Sequence, residues 1–333
     1  MAPFPIDKSS CDCGIKTAPD IACSCVKFFV SIMSNSAEKQ AVIALFGASG
    51  NISSHVISCL QRASLDHEKH DVTIQSYTLR IITRSPEPLK DLVFPLKVEV
   101  IMGSIDDVDR LDELLQGVTR VFFCLPQHLS APDMIMISQA FSRSASNAGV
   151  QTVVRISSYG MDEKSATTSS QGSLGQAHII GEQCMRDSGL KCTSVRPTSF
   201  FSNFLKYDFP SIQNNGTFCS PLGNNASVNW ISCEDIAAVV AAALLNESLD
   251  GKVLDITGSE CNTLSAEGMR AIIESSTGKN ISYTELPVPD SGDMNGLWTF
   301  LRDGGFSHHT NTFEEVCKQK PITFSDFVSS LPW

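Results

Sequence analysis

Six apolar residues, Ala41 to Phe46, run into a turn marked by Gly47 and Gly50, and beyond it Val56, Ile57 and Leu60 recur at helical spacing. No other stretch of this 333-residue chain constrains its fold as tightly. A short continuous apolar run predicts a central parallel strand buried on both faces. A glycine turn that then opens a helix aims unbonded backbone N–H groups at one point, which makes that point an anion site. In open α/β sheets the anion is usually a dinucleotide pyrophosphate, so Gly47, Ser49, Gly50, Asn51 and Ile52 are expected to hold one. The dinucleotide fingerprint is G-x-G-x-x-G, whereas the chain reads Gly47-x-x-Gly50-x-x-Ser53. The alternative is a plain strand-to-helix turn without a ligand.

The rest of the chain continues the alternation. Strands are expected over 77–83, 98–102, 120–125, 151–156 and 192–196, and helices over 108–115, 130–148 and 175–188. This spacing predicts an α/β fold, a Rossmann-like doubly wound parallel sheet, with a smaller C-terminal substrate lobe. Later strands are expected over 252–257 and 281–286, with an amphipathic helix over 263–277. The domain reading is a disordered extension over 1–40, a dinucleotide-binding domain over 41–210 and a small lobe over 211–333. A polar loop, 161–172, is long enough to form a flap over a site.

The end of the second strand decides the cofactor. An acid there accepts from the ribose 2′-OH of NAD, and an arginine accommodates the 2′-phosphate of NADP. Here Thr83 and Arg84 stand together and no acid is present. NADP(H) is therefore expected, unless Arg84 is an ordinary surface residue. The ends of the third and fourth strands add Gly103, Ser104, Cys124, Leu125 and Pro126 to the expected cofactor set.

Bulk properties exclude several classes. The formal net charge of −11 repels phosphate backbones and argues against nucleic acid as the main partner. No run approaches 18 apolar residues, so no membrane span is expected. Twelve cysteines are too few for a disulfide scaffold at this length. Eight of them lie in apolar or helical patterns and are expected as buried thiols in a reducing cytoplasm. Cys11, Cys13, Cys23 and Cys25 form two close pairs, but their spacing departs from structural zinc sites, so no metal is expected. Met33 is a candidate true start.

The block RISSYG (155–160), then LGQAHIIGEQCMRDSGLKCTSVRPTSFFSNF (174–204), resembles the NmrA-like branch of the atypical short-chain dehydrogenases. Gly103-x-x-Asp106-Asp107 and Trp230 to Ala238 agree with it. The resemblance runs from about Ala41 to the C-terminus, and the region from Asp290 onward looks shorter than usual. That branch includes NADPH-dependent triphenylmethane and quinone reductases, ergot-alkaloid reductases and non-catalytic NADP-sensing regulators. In the glycine turn, Ser53 stands where the family normally has a third glycine. The resemblance implies that Pro197, Thr198, Phe200 and Phe201 lie along the nicotinamide face, although the two phenylalanines serve equally well as core.

Ordinary short-chain dehydrogenases protonate a carbonyl with a tyrosine whose pKa is lowered by a lysine four residues on. The residues four positions after Tyr77, Tyr159, Tyr207 and Tyr283 are Ile81, Glu163, Ser211 and Pro287, so no such pair exists. Aligned by its end, the helix puts Leu174 at the tyrosine position and His178 at the lysine position. An acceptor that is already electron-poor needs little acid help, only contact geometry with the cofactor. His178 is expected to anchor the nicotinamide ribose or give a proton, with Ser157 and Tyr159 offering O–H groups at the end of the fifth strand. Glu182, one turn on, reads as a solvated helix charge, with orientation of His178 as the alternative. The resulting expectation is an NADPH-dependent reductase of a small conjugated metabolite in secondary metabolism, cytoplasmic, and a monomer or homodimer. The rival is an NADP(H)-sensing regulator acting through a protein partner.

Overall fold

A computed structural model describes residues 41–65, 72–74, 76–89, 97–161, 172–290 and 292–333. The expectations for the N-terminal 40 residues and for the flap at 162–171 lie outside these residues. Ala41–Phe46 (β1) leads through the glycine turn to Ser53–Leu65 (α1), and Tyr77–Thr83 (β2) and Val98–Met102 (β3) follow. Leu111–Leu114 (α2), Arg120–Phe123 (β4), Ala131–Asn147 (α3), Thr152–Ile156 (β5), Gly172–Asp187 (α4) and Lys191–Pro197 (β6) complete the first run.

The chain then leaves the sheet through Ser199–Phe200 (β7), Phe201–Tyr207 (α5), Phe209–Asn215 (α6), Thr217–Ser220 (β8), Ser227–Ile231 (β9) and Cys233–Leu245 (α7). It returns as Val253–Ile256 (β10) and ends with Thr263–Ser265 (β11), Ala266–Thr277 (α8), Ser282–Glu285 (β12), Asp293–Arg302 (α9), Thr312–Cys317 (α10) and Phe324–Ser329 (α11).

Seven strands form one sheet in the order β10-β6-β5-β4-β1-β2-β3, every pair of them parallel. The order reverses direction between β1 and β4, and the carboxyl ends at such a switch point are where ligands bind in open α/β sheets. A parallel sheet must be covered on both faces. Ile43, Leu45, Val154 and Val195 pack under α1 and α7, whose Val56, Leu60, Val240 and Leu244 are sealed from solvent. Ala44, Val121, Phe123 and Val153 pack on the opposite face, against α2, α3 and α4. A separate aromatic core, including Phe201, Phe204, Phe218 and Phe324, fills the elements of the excursion and the C-terminus.

Buried amides hold that second core to the sheet. Asn229 accepts from the Gly258 N–H at 2.8 Å and from the Thr198 hydroxyl at 3.3 Å. Asn262 donates to the carbonyls of Trp230 and Ile322, at 3.1 and 2.9 Å, and accepts from the Phe324 N–H. The expected helix at 263–277 differs at its start. Thr263–Ser265 is instead extended and pairs antiparallel with β9, and Ser265 caps α8 by accepting from the Gly268 N–H. A β-branched residue at 263 suits the strand, and a serine suits the N-cap.

The eight cysteines outside the N-terminal segment are free thiols, but the expected burial holds only in part. Cys192, Cys233 and Cys317 are buried, whereas Cys261 is exposed. Among the described residues, no helix is long and apolar enough to cross a membrane, and no cluster of His, Cys, Asp and Glu is placed to bind a metal.

Candidate active site

The glycine turn sits at the switch point, at the carboxyl end of β1. Gly47 has φ +77°, a conformation that side-chain-bearing residues rarely adopt, and its N–H donates to the Ile82 carbonyl at 2.8 Å. Gly50 closes the turn onto Gly47 O at 3.1 Å, and Ser54 makes the first helical bond back to Gly50 O at 3.0 Å. The N–H groups of Asn51, Ile52 and Ser53 lie ahead of that bond and are the natural donors to an anion. The first turn of α1 contains no acidic residue to compete for them. Ser53 takes the third-glycine position without opening the packing, since its hydroxyl is buried and donates to the Phe46 carbonyl at 3.0 Å. These features fit a pyrophosphate.

The ends of β2, β3 and β4 lie beside the turn. Arg84 is exposed, and the Thr83 hydroxyl donates to Ser85 O at 2.9 Å, folding the chain back just past the strand. Gly103 is a glycine for packing reasons, because an added Cβ would press on Leu114 at 3.0 Å and Ile82 at 3.2 Å. The Ser104 hydroxyl holds the Asp106 carboxyl below its usual range, with the charges of Arg84 and His128 adding to the effect. Arg84, Ser104 and His128 thus all act on the Asp106 carboxyl. Cys124, Leu125 and Pro126 are half-buried where β4 ends, and burial pushes the Cys124 thiol up to about 12, which leaves it unreactive.

At the ends of β5 and β6 the side chains facing α4 are polar. Glu182 is a correction to the sequence reading. It is not a solvated helix charge but fully buried, and Arg196 grips it bidentately, Nε to Oε1 at 2.9 Å and Nη2 to Oε2 at 2.7 Å. The reason is register, because the turn of α4 that carries Glu182 faces β6, where Arg196 supplies the partner. Burial by itself would raise the Glu182 carboxyl, but Arg196, Ser157 and Arg155 hold it down to about 2. Arg196 also donates to the Met161 carbonyl. Ser157 contributes to that electrostatic hold, yet its buried Oγ meets no partner at hydrogen-bond geometry, so the contact with Glu182 is loose.

His178 lies one turn before Glu182 and is half-buried. Burial first and the charge of Arg155 second push its imidazole down to about 3, while Glu182 pulls the other way. It is therefore neutral at physiological pH. Tyr159 donates its backbone N–H to Pro197 O at 3.0 Å, and its ring meets Phe306 edge-on at 6.0 Å. Burial, then Asp255, raise its phenol, so it keeps its proton. Pro197 and Thr198 are buried and Phe200 is half-buried, joined to β9 through the short strand β7.

All the expected residues therefore lie at one edge of one sheet, on two sides of it. A groove of ≈ 460 Å³ opens by the turn, lined by Ser49, Asn51, His55, Ser202, Cys233 and Asp326 among others. It belongs to the α1 and α7 side, whereas His178, Ser157 and Glu182 belong to the α4 side. Sequence reasoning missed Arg155, which is buried completely beneath α4. The signal was present, since an arginine interrupts the otherwise apolar run Val153-Val154-Arg155-Ile156.

A parallel doubly wound sheet with a glycine turn at its switch point defines a nucleotide-binding α/β protein. Within that class, residues 39–298 match the NmrA-like family, and the chain belongs to it. It is 25% identical over 303 residues to an NAD(P)H azoreductase of Xenophilus azovorans, covering 87% of this chain and 97% of the relative. It is 31% identical over 210 residues to a (4-alkanoyl-5-oxo-2,5-dihydrofuran-3-yl)methyl phosphate reductase of Streptomyces griseus, covering 63% and 69%. Among solved structures it resembles an NADPH-dependent quinone oxidoreductase of Escherichia coli, with TM-score 0.69, 22% identity and coverage of 86% and 98%. The negative transcriptional regulator NmrA in complex with NAD has the same fold, with TM-score 0.66, 15% identity and coverage of 88% and 96%.

Proposed function

We propose that the protein is an NADPH-dependent oxidoreductase that delivers hydride to an electron-poor small metabolite, such as an iminium, a quinone or a similar conjugated acceptor. The observation that carries this reading concerns the two described acid candidates beside β5 and α4. His178 is held neutral and the Tyr159 phenol is pushed up, so neither is tuned to protonate a carbonyl in the transition state. The relatives named as reductases support the oxidoreductase class.

Bound NADPH would supply the hydride, and this chain's own residues would bind and orient it. The N–H groups of Asn51 and Ile52 would receive the pyrophosphate, Arg84 the 2′-phosphate, and Pro197, Thr198 and Phe200 would flank the nicotinamide. His178 would act as a neutral hydrogen-bond partner, and Ser157 and Tyr159 would offer hydroxyls to the acceptor. The reading assigns residues 41–210 to cofactor binding and 211–333 to the substrate lobe. It places the protein in the cytoplasm, in secondary metabolism, as a monomer or homodimer with neither nucleic acid nor membrane as partner.

The same state of His178 and Tyr159 also favours a second reading, a non-catalytic NADP(H)-sensing regulator acting through a protein partner. Purified protein incubated with NADPH and quinone, iminium or cationic-dye acceptors distinguishes the two. Consumption of NADPH with at least one acceptor is expected. Tight NADPH binding without turnover on any of them would overturn the enzyme reading in favour of the sensor.

A further inference from the structure

Four buried polar atoms that find no partner among the described residues belong to three residues between β5 and α4: Arg155 Nε and Nη2, Ser157 Oγ and His178 Nδ1. Arg155 is the unexpected member, because a central strand of a parallel sheet is normally apolar here. Its side chain is fully buried, and its Nη1 donates one long bond, 3.4 Å, to Ser138 Oγ. The guanidinium carbon lies 5.4 Å from the centre of the Phe123 ring. Glu182, the compensating charge in this layer, is occupied by Arg196 and Arg186. Arginine does not shed its proton in proteins, and a buried charge without partners is strongly destabilising, so Nε and Nη2 require an acceptor.

The guanidinium lies directly beneath the turn that carries His178. Gly181 is three residues on from His178 and shares its helix face. A Cβ at Gly181 would come within 2.7 Å of the Arg155 guanidinium carbon, so the glycine makes room for it. A guanidinium only donates, whereas a neutral imidazole has one donor and one acceptor nitrogen. Of the two ring nitrogens, Nδ1 is the buried one left without a partner. A bridging group that accepts from the guanidinium and turns its own proton toward Nδ1 makes that nitrogen the acceptor and leaves the ring proton on Nε2. A buried water suits the position, since it accepts from Arg155 and donates to Nδ1, and polar pockets with several such partners retain water.

We propose that Arg155 is a positioning residue which, through one buried water, fixes the His178 imidazole as its Nε2–H tautomer. The charged groups facing the ring are Arg155 from β5, Arg196 from β6 and Glu182 from its own helix, and their balance with burial keeps it unprotonated. The ring then presents a fixed N–H donor that does not titrate across the physiological range. The relevance of this tautomer to catalysis rests on the proposed function. The tautomer itself is read without turnover, so the two readings fail separately.

The test is long-range 1H–15N correlation spectroscopy of the full-length protein labelled at its 7 histidines, with His178→Gln assigning the resonance. The wild type is expected to show protonated Nε2 and bare Nδ1, unchanged from pH 8 to pH 5. Arg155→Met is expected to give mixed tautomers and a titration moving back toward the ordinary histidine range. Arg155→Lys, which retains a donor-only cation, is expected to restore the wild-type pattern. An Nδ1–H tautomer in the wild type would overturn the proposal, whether or not the variants fold. So would an unchanged tautomer in folded Arg155→Met. A crystal structure placing an anion between the two side chains would overturn the water bridge.

Discussion

Arg84 and Asp106 put the question of cofactor choice on two side chains. A charge-assisted Arg–phosphate bond contributes roughly 1.5–3 kcal/mol, or about 10- to 100-fold in affinity. Arg84→Ala is therefore expected to weaken NADPH binding by about that factor and to leave NADH nearly unchanged. Asp106 acts in the opposite sense. It is ionised, as its lowered pKa requires, and its charge lies near enough to Arg84 and His128 for each to act on it. A 2′-phosphate seated there meets that negative charge, so Asp106→Asn is expected to strengthen NADPH binding several-fold relative to NADH. Titration of both cofactors by fluorescence checks the pair of variants. Equal losses for NADPH and NADH in Arg84→Ala would remove the 2′-phosphate assignment.

Helix α4 shows what can be tested at the scale of an element. Glycine inside a helix costs about 1 kcal/mol relative to alanine, yet Gly181 sits in mid-helix because the Arg155 guanidinium occupies its Cβ position. Gly181→Ala is expected to destabilise the wild type by about 1–3 kcal/mol through overpacking. In an Arg155→Leu background the same change is expected to stabilise by about 1 kcal/mol. Urea denaturation of the four proteins closes the cycle, and additive effects would show that the helix does not rest on the arginine.

This helix also marks how far the sequence could be read. The expected 175–188 compares with an observed Gly172–Asp187, and β1 falls where its apolar run ends, because a strand buried on both faces leaves no polar residue to confuse the pattern. The glycine turn was legible for the same local reason. The polar layer beneath α4 was not. A helical charge such as Glu182 reads identically whether it meets water or Arg196, and only the register between α4 and β6 decides. Ser53 had the opposite history, since a serine in the third-glycine position looks like a defect until its hydroxyl finds the Phe46 carbonyl.

For the whole molecule, stability against pH is set by buried groups that oppose one another. Glu182 is depressed to about 2 and His178 to about 3, so the folded state binds fewer protons than the unfolded chain in acid. Their contribution is complete above the ordinary values of 4.5 and 6.5 and is lost as pH falls through 3 and 2. Asp235 and Asp208 act in reverse. Burial raises them to about 6 and about 7, so the folded state holds their protons longer. What they contribute is complete below the ordinary value of 3.8 and fades as pH rises through 6 and 7.

Asp235 offsets part of its cost by accepting from the Ile322 N–H at 2.9 Å. Asp208 stands at the N-cap position of α6 without a side-chain cap bond, and burial is the only cause of its shift. Asp208→Asn removes the charge without changing the shape. At pH 4 the aspartate is already neutral in the folded state, so the variant and wild type are expected to melt together. At pH 8 the variant is expected to melt about 1–2 °C higher, as about 1 kcal/mol gives for a chain of this size. The discount from the full shift reflects a carboxyl that is half-buried rather than sealed. Calorimetry at the two pH values decides it, and the same difference in Tm at both would mean that the aspartate is ionised throughout.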